Sequence, residues 1–277
     1  MQQQAFTFDD ILLVPAYNHF ESRRLVQTKV TDKTGKLTIE LPVISSNMDT
    51  VTESTMAKFM GNKGGMGALH RFMSIEENIK QYKDSPETTF VSIGCSDSEL
   101  ERAEALRDAG ANYFCIDVAH GHAQYVGKTL KQLRSLLSNA CIMAGNVATY
   151  AGADYLASCG ADIIKAGIGG GSVCSTRIKT GYGIPMLTCI SDCARIDRSI
   201  VADGGIRTAG DIVKALAFGA DFVMIGGILA GSTPTPGEVI TKDDGTKIKK
   251  YRGMASAEAQ EDFMGGMHEW KTAEGVA

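Results

Sequence analysis

Eight short apolar segments recur along this chain, and no other feature restricts its fold so tightly. They are Val43–Met48, Gly65–Leu69, Phe90–Gly94, Tyr113–Val118, Cys141–Gly145, Ile163–Ile168, Ile200–Ala202 and Phe222–Ile225. Rich in Ile, Val and Phe, they read as strands buried on both faces. The stretches between them carry helical signals. Ser96-Asp97-Ser98-Glu99 predicts a capping box ahead of Leu100, Ala103 and Leu106, with a stop at Gly110. Val126, Leu130, Leu133 and Leu137 form a second stripe, and Thr208 to Phe218, with Ile212 and Leu216, a third. Gly110-Ala111-Asn112, Gly160-Ala161-Asp162 and Gly219-Ala220-Asp221 repeat at helix-to-strand joints, where glycine suits the left-handed residue that ends a helix. Such alternation over 277 residues, 44% of them hydrophobic, points to a (β/α)8 TIM barrel in the α/β class, a single domain spanning 1–277. A doubly wound open sheet is the alternative, but no early Gly-x-Gly-x-x-Gly turn supports it.

Composition removes several function classes. The net charge is −4 and no basic run stands out, which argues against a nucleic-acid partner. No apolar run approaches the ~18 residues of a membrane span, and the N-terminus lacks the pattern of a secretory signal. Seven cysteines, an odd number without Cys-x-x-Cys or zinc spacing, suggest a reduced, cytoplasmic protein without a structural metal.

The residues able to do chemistry follow the strands. Ser46-Asn47-Met48-Asp49, His70-Arg71, Asp117 to His122, Gly145-Asn146, Asp203-Gly204-Gly205 and Gly226-Gly227 all do so, which places them on the face of a barrel where catalytic groups collect. Between Ile164 and Arg177 runs Lys165-Ala-Gly-Ile-Gly-Gly-Gly-Ser-Val-Cys-Ser-Thr-Arg, four of five residues from Gly167 to Gly171 being glycine. A linker carrying a buried thiol is one reading of such a run. Backbone pressed against a phosphate or an ion is the other, with Cys174 placed where a thiolate gains from nearby charge. Glycine pairs after strands seven and eight favour the second, because backbone N–H groups there suit a phosphate.

The stretch from Gly167 to Arg177, with Asp203-Gly204-Gly205 and Gly226-Gly227, resembles the IMP dehydrogenase/GMP reductase family over essentially the whole chain, from Phe6 to Gly275. The resemblance implies a barrel acting on a purine nucleotide, with the cysteine adding to C2 of the base and a nicotinamide cofactor exchanging hydride at that carbon. Two branches are possible. Ser74–Pro86 leads directly to the third strand, leaving no room for a regulatory insert. Ala255–Ala273 contains neither arginine nor tyrosine, whereas the dehydrogenase flap carries an Arg-Tyr pair that activates water. Gly265-Gly266 and Lys179-Thr180-Gly181 also match reductases, so the expectation is NADPH-dependent reductive deamination of GMP to IMP and ammonia. IMP dehydrogenase is the alternative.

On that resemblance Cys174 is the nucleophile and Thr176 and Glu274 the acid/base pair. Ser172, Asp203, Gly204, Gly205, Gly226, Gly227, Gly253, Met254, Ala255, Lys271 and Gly275 are implied to meet the nucleotide. Arg71, Asp117, Val118, Ala119, Asn146 and Trp270 are implied to face the cofactor. Backbone carbonyls of Gly169, Gly171, Cys174 and Arg177 are implied to hold a monovalent cation, K+, and the assembly is expected to be a homotetramer. His120 and His122 read as loop-orienting residues, not metal ligands.

Some positions depart from the family pattern. Gly170 stands where proline is common, Ser175 where threonine is usual, Met186 where glutamine usually follows Pro185, and Trp270-Lys271 where reductases often have Tyr-Arg. Lysine cannot offer arginine's bidentate fork. Two other readings stay open. A nucleotide-binding sensor would need none of Cys174, Thr176 and Glu274, and an unrelated phosphate-binding isomerase or aldolase would need a strand-end lysine such as Lys165. Finally, the region after strand eight reads as a polar hairpin flap (241–250), then a short helix over Ala255–Met264. The expected eighth barrel helix is missing, which should leave an apolar groove between the helices that follow strands one and seven.

Overall fold

The computed structural model of the protein describes residues 4–265 and 272–277. After a 3-10 turn at Arg23–Leu25, strands β1 (Val30–Thr31) and β2 (Thr38–Ile39) form an antiparallel hairpin. Eight parallel strands then close into a barrel: β3 (Val43–Ser45), β4 (Met66–Leu69), β5 (Phe90–Ile93), β6 (Tyr113–Asp117), β7 (Cys141–Val147), β8 (Ile163–Ala166), β9 (Ser199–Asp203) and β10 (Phe222–Ile225). Closure comes from β10 pairing with β3 in the register Val223 to Val43. The (β/α)8 expectation is met, and the open sheet is set aside. β8 stops at Ala166 because Gly167 takes φ +141, and a Cβ there would lie 2.0 Å from the Asp203 carbonyl oxygen.

The strands alternate between two cores. Inward side chains, among them Ile44, Met66, Phe90, Cys115, Met143, Ile163 and Phe222, fill the barrel, and Leu37 and Ile39 of the hairpin plug its N-terminal end. Outward residues such as Ile93, Ile116, Ile142 and Ile164 pack with Leu106, Leu130, Leu133 and Leu156 of the outer helices. Each such fully buried side chain contributes roughly 1.5–3 kcal/mol. The outer helices are α1 (Ser54–Asn62), α2 (Ile75–Lys83), α3 (Asp97–Asp108), α4 (Gln124–Leu136), α5 (Tyr150–Ser158), then a short α6 (Thr176–Lys179) ahead of α7 (Met186–Cys193), and α8 (Ala209–Ala217).

Two expectations need correcting. The Ser96–Glu99 capping box does not form, for Ser96 makes no side-chain cap. Glu99 instead accepts from the Gly94 N–H at 2.6 Å and from Arg102 at 3.2 Å. Charged and buried partners outcompete the local motif. After β10 the described residues place no helix on the barrel wall, as expected, yet the strands there are not laid open. Val43, Val223 and Ile225 are buried in one cluster with Met56, Met60, Ala215 and the N-terminal Phe8, with Leu216 and Leu229 packed against it. The apolar surface left exposed lies on the flanking helices, at Phe59 (40%) and Val213 (53%).

The flap is an antiparallel hairpin of β11 (Ile240–Thr241) and β12 (Lys247–Ile248), followed by α9 (Ala257–Met264). Arg252 ties this segment down, donating to Asp49 at 2.6 and 2.9 Å and to Asp262 at 2.5 Å. Among the described residues no helix is long and apolar enough to cross a membrane.

Candidate active site

The glycine-rich loop leaves β8 and delivers Cys174 to a meeting of three segments. Val276 N–H donates to the Val173 carbonyl at 3.0 Å and Ser175 N–H to the Glu274 carbonyl at 2.8 Å, so 274–276 runs along 173–175. Gly253 N–H donates to Val276 O at 2.9 Å and Glu274 N–H to Ala255 O at 3.0 Å, adding a third segment. Only small residues permit this lacing. A Cβ on Gly253 would stand 3.1 Å from Val173 O, and one on Gly275 2.9 Å from Ser256 N. Met254 reaches the β3 loop, where its sulfur accepts from Asp49 N–H at 3.3 Å.

Held this way, three side chains form a chain of donors. The Cys174 thiol donates to Thr176 Oγ1 at 3.2 Å, and the Thr176 hydroxyl donates to Glu274 Oε2 at 2.7 Å. A proton can therefore pass between sulfur and carboxylate without solvent. Cys174 is half-buried, unlike Cys115, whose thiol burial pushes up to about 12.

Beside the relay lies a cup of backbone and hydroxyls. A Cβ on Gly204 would lie 3.2 Å from Gly171 N, one on Gly205 3.2 Å from Gly170 O, and one on Gly227 3.1 Å from Ser172 Oγ. Gly204, Gly205, Gly226, Gly227 and Ser172 are thus brought together as the sequence suggests. Tyr251 joins them: its hydroxyl is 3.3 Å from Ser172 Oγ and 3.3 Å from where a Gly226 Cβ would be. Sequence reasoning missed it, since nothing local marks a tyrosine 79 residues from its partner. Among the described residues, the buried Ser46 Oγ, also against Gly226, has no hydrogen-bond partner. Glycine backbone and the hydroxyls of Ser172, Tyr251 and Ser46, gathered in one cup, suit a phosphate.

On the inner wall Lys165 Nζ donates to Asp117 Oδ1 at 2.7 Å and to Asp203 Oδ2 at 2.9 Å. Asn146 Nδ2 donates to the same Asp203 oxygen at 2.9 Å and to Gly167 O at 2.7 Å. Burial works against the charge on Lys165, but the two carboxylates outweigh it and raise its pKa. Burial likewise opposes ionisation of Asp117, and Lys165, with Arg71 and Asn47 adding less, holds its carboxyl below the usual range. The only warning in the sequence was a lysine inside an apolar strand, a charge that must be paired when buried.

Of the residues expected to face a cofactor, Asp117, Val118, Ala119 and Asn146 gather at the tips of β6 and β7. Val118 N–H donates to Gly145 O at 3.1 Å and Asn146 N–H to Val118 O at 2.9 Å, with Ala119 exposed beyond. Arg71 stacks on Phe72 at 4.9 Å and abuts Gly94 at the end of β5. Arg177 lays its stem over Gly169 and Gly183, shaping the loop that carries Gly169, Gly171 and Cys174. The departures at Gly170 and Met186 prove to be neighbours. A Cβ on Gly170 would lie 2.9 Å from Met186 Cγ, so the methionine fills the room that a larger residue at 170 needs. Trp270 and Lys271 lie outside the described residues.

A family model described as the IMP dehydrogenase / GMP reductase domain matches residues 5–277. The chain belongs to that family. Similar members carry both names. A GMP reductase of Streptococcus gordonii is 39% identical, with 91% of this chain and 78% of that protein covered. An inosine-5′-monophosphate dehydrogenase of Nitrosopumilus maritimus is 30% identical, with 93% and 81% covered. Among solved structures, one described as inosine 5′-monophosphate dehydrogenase from Legionella pneumophila is 77% identical, with a TM-score of 0.90 over 99% of this chain and 84% of that one. A GMP reductase from Trypanosoma brucei, in complex with guanosine 5′-monophosphate, is 25% identical, with a TM-score of 0.92 over 99% and 86%. The family members named above, GMP reductases and inosine-5′-monophosphate dehydrogenases, are oxidoreductases.

Proposed function

We propose that the protein is a GMP reductase, converting GMP with NADPH to IMP, ammonia and NADP+. The observation that carries the reading is the relay from Cys174 through Thr176 to Glu274. With the nucleotide phosphate in the glycine cup against Ser172 and Tyr251, the base extends toward Cys174, edged by Gly253, Met254, Ala255 and Gly275. Cys174 passes its proton through Thr176 to Glu274, and the sulfur forms a bond to C2. Glu274 returns that proton through Thr176 to the amino nitrogen, the C2–N bond breaks, and ammonia leaves a thioimidate. A nicotinamide cofactor bound beside the base would supply the hydride that C2 needs, and Cys174, released as the C2–S bond breaks, would regain a proton from solvent. One proton is consumed overall, and the atoms balance.

The residues present fit a nicotinamide cofactor. Asp117 and Asn146 stand at the mouth, and Asn146 Oδ1 has no partner among the described residues. Arg71, Val118 and Ala119 flank that side. We further propose that a monovalent cation, K+, sits on the carbonyls of Gly169, Gly171, Cys174 and Arg177. A homotetramer would use the exposed N-terminal apolar residues Leu12, Val14 and Tyr17.

The 77% identity to a chain named as a dehydrogenase favours a second reading, oxidation of IMP with NAD+ and water. That reaction needs a base for water, and Ala255–Ala273 supplies neither arginine nor tyrosine. Chromatography of the products decides between them. Purified protein should form IMP from GMP and NADPH and essentially no xanthosine monophosphate from IMP and NAD+. The reverse pattern assigns it to the dehydrogenases.

A further inference from the structure

We propose that Lys165 is a positioning residue shared by two ligand sites, fixing one carboxylate for the hydroxyls of the nucleotide's ribose and a second for those of the cofactor. This rests on the purine-nucleotide reading above. Lys165 is side-chain buried to 3% exposure, whereas Asp203 and Asp117 keep 20% and 24%. The ammonium is thus inside and each carboxylate turns an edge to the mouth. Asp203 Oδ2 takes both Lys165 and Asn146, and among the described residues no hydrogen bond reaches its Oδ1. That oxygen belongs to a residue adjoining Gly204 in the cup, within a sugar's reach of a bound phosphate.

The barrel makes the sharing possible. Lys165 lies on β8 and Asp117 on β6, two strands away, with Gly145 of β7 in the same row. A side chain at Gly145 would place its Cβ 2.5 Å from Lys165 Cβ, so only glycine lets the lysine stand there. One ammonium faces two carboxylates, and since Arg71 adds its positive charge at Asp117, the unbalanced negative charge lies at Asp203. Such a cluster accepts from hydroxyls and repels phosphate, which turns the nucleotide's phosphate toward the cup and its ribose toward Asp203.

Binding of GMP and 2′-deoxy-GMP, measured by calorimetry on the intact protein and on Lys165→Met, tests this, together with KM for NADPH. A hydrogen bond to a charged acceptor predicts that the intact protein prefers the ribonucleotide by at least about tenfold. In the variant the preference should shrink below about threefold, and KM for NADPH should rise at least about fivefold while kcat at saturation falls less. If Lys165→Met does not fold, Lys165→Met with Asp117→Asn removes one charge of each sign, and the same loss of preference is expected. Equal binding of the two nucleotides by the intact protein, or full preference kept by a folded variant, overturns the proposal. Failure of the intact protein to bind either GMP or IMP overturns the purine-nucleotide reading itself, a distinct result.

Discussion

The two ends of this barrel differ in how fully their buried polar groups are paired. At the N-terminal end Asp162 is saturated: Lys36 donates to Oδ1 at 3.0 Å, while Oδ2 accepts from Arg134 and from Ile142 N–H at 2.9 Å. Asp32 is similarly filled by Leu37 N–H at 2.5 Å and Thr34 N–H at 2.8 Å. At the C-terminal end the polar atoms are left short. Ser46 Oγ, Asp49 Oδ1, Asn146 Oδ1 and Ser175 Oγ are buried without partners among the described residues. An unpaired buried group costs about 1–3 kcal/mol, so a fold tolerates several only where something else makes use of them. The fully bonded carboxylates of one end hold the barrel together, and the unpaired polar atoms of the other are free to meet a ligand.

The largest effect should come from the mouth. Replacing Cys174 by alanine should lower turnover by at least about a thousandfold while GMP binding stays within a few fold and thermal stability barely moves. Activity above about a thousandth of the parent rate would show that the thiol is not the nucleophile.

At the other end the expectation reverses. Asp162→Ala removes the carboxylate that Lys36, Arg134 and Ile142 N–H share, but the carbonyls of Ala140 and Gly160 still receive the two cations, so the cost should be about 1–3 kcal/mol. In a protein of this size that lowers the melting temperature by about 5 °C, with kcat per folded molecule unchanged. A variant that melts normally but loses activity would erase the distinction between the two ends.

The sequence carried this contrast only in part. All eight strands were legible, because strands buried on both faces must be apolar throughout. The glycine loop and its thiol were legible because the crowding they answer is local: Gly167 sits against Asp203 O, and Gly170 against Met186. What escaped was joined by closure of the barrel. Lys165 reads as an isolated strand-end lysine until β6 and β9 bring carboxylates 48 and 38 residues away to its ammonium. Tyr251 acquires meaning only once the flap returns it to Ser172. Ser96 and Glu99 failed in the other direction, since a sound local motif lost to Gly94 and Arg102, which no short window weighs.

Asp211 separates position from burial, because it sits at the mouth end yet is buried, with Oδ2 taken by two backbone N–H groups of its own cap. Its carboxylate accepts from Arg207 N–H at 3.0 Å and Thr208 N–H at 2.9 Å, while Thr208 Oγ1 accepts from Asp211 N–H at 3.2 Å, capping α8. Burial opposes its ionisation, but these bonds from Arg207 and Thr208 prevail and lower its pKa. If its whole role is to cap α8, Asp211→Asn should leave kcat and KM unchanged and cost only stability. Losing a charge in the first turn of a helix, with one acceptor oxygen kept, costs about 0.3–1 kcal/mol. The sign with pH follows from the lowered pKa. The contribution is fully present above the unfolded aspartate value of about 3.9 and is lost as pH falls through the lower folded value. Urea melts should therefore show parent above variant at pH 7, with the gap closing below about pH 4. A gap that persists undiminished into acid would mean that the charge of Asp211 contributes nothing, and a changed KM would mean that a capping carboxylate at the mouth also serves the ligand.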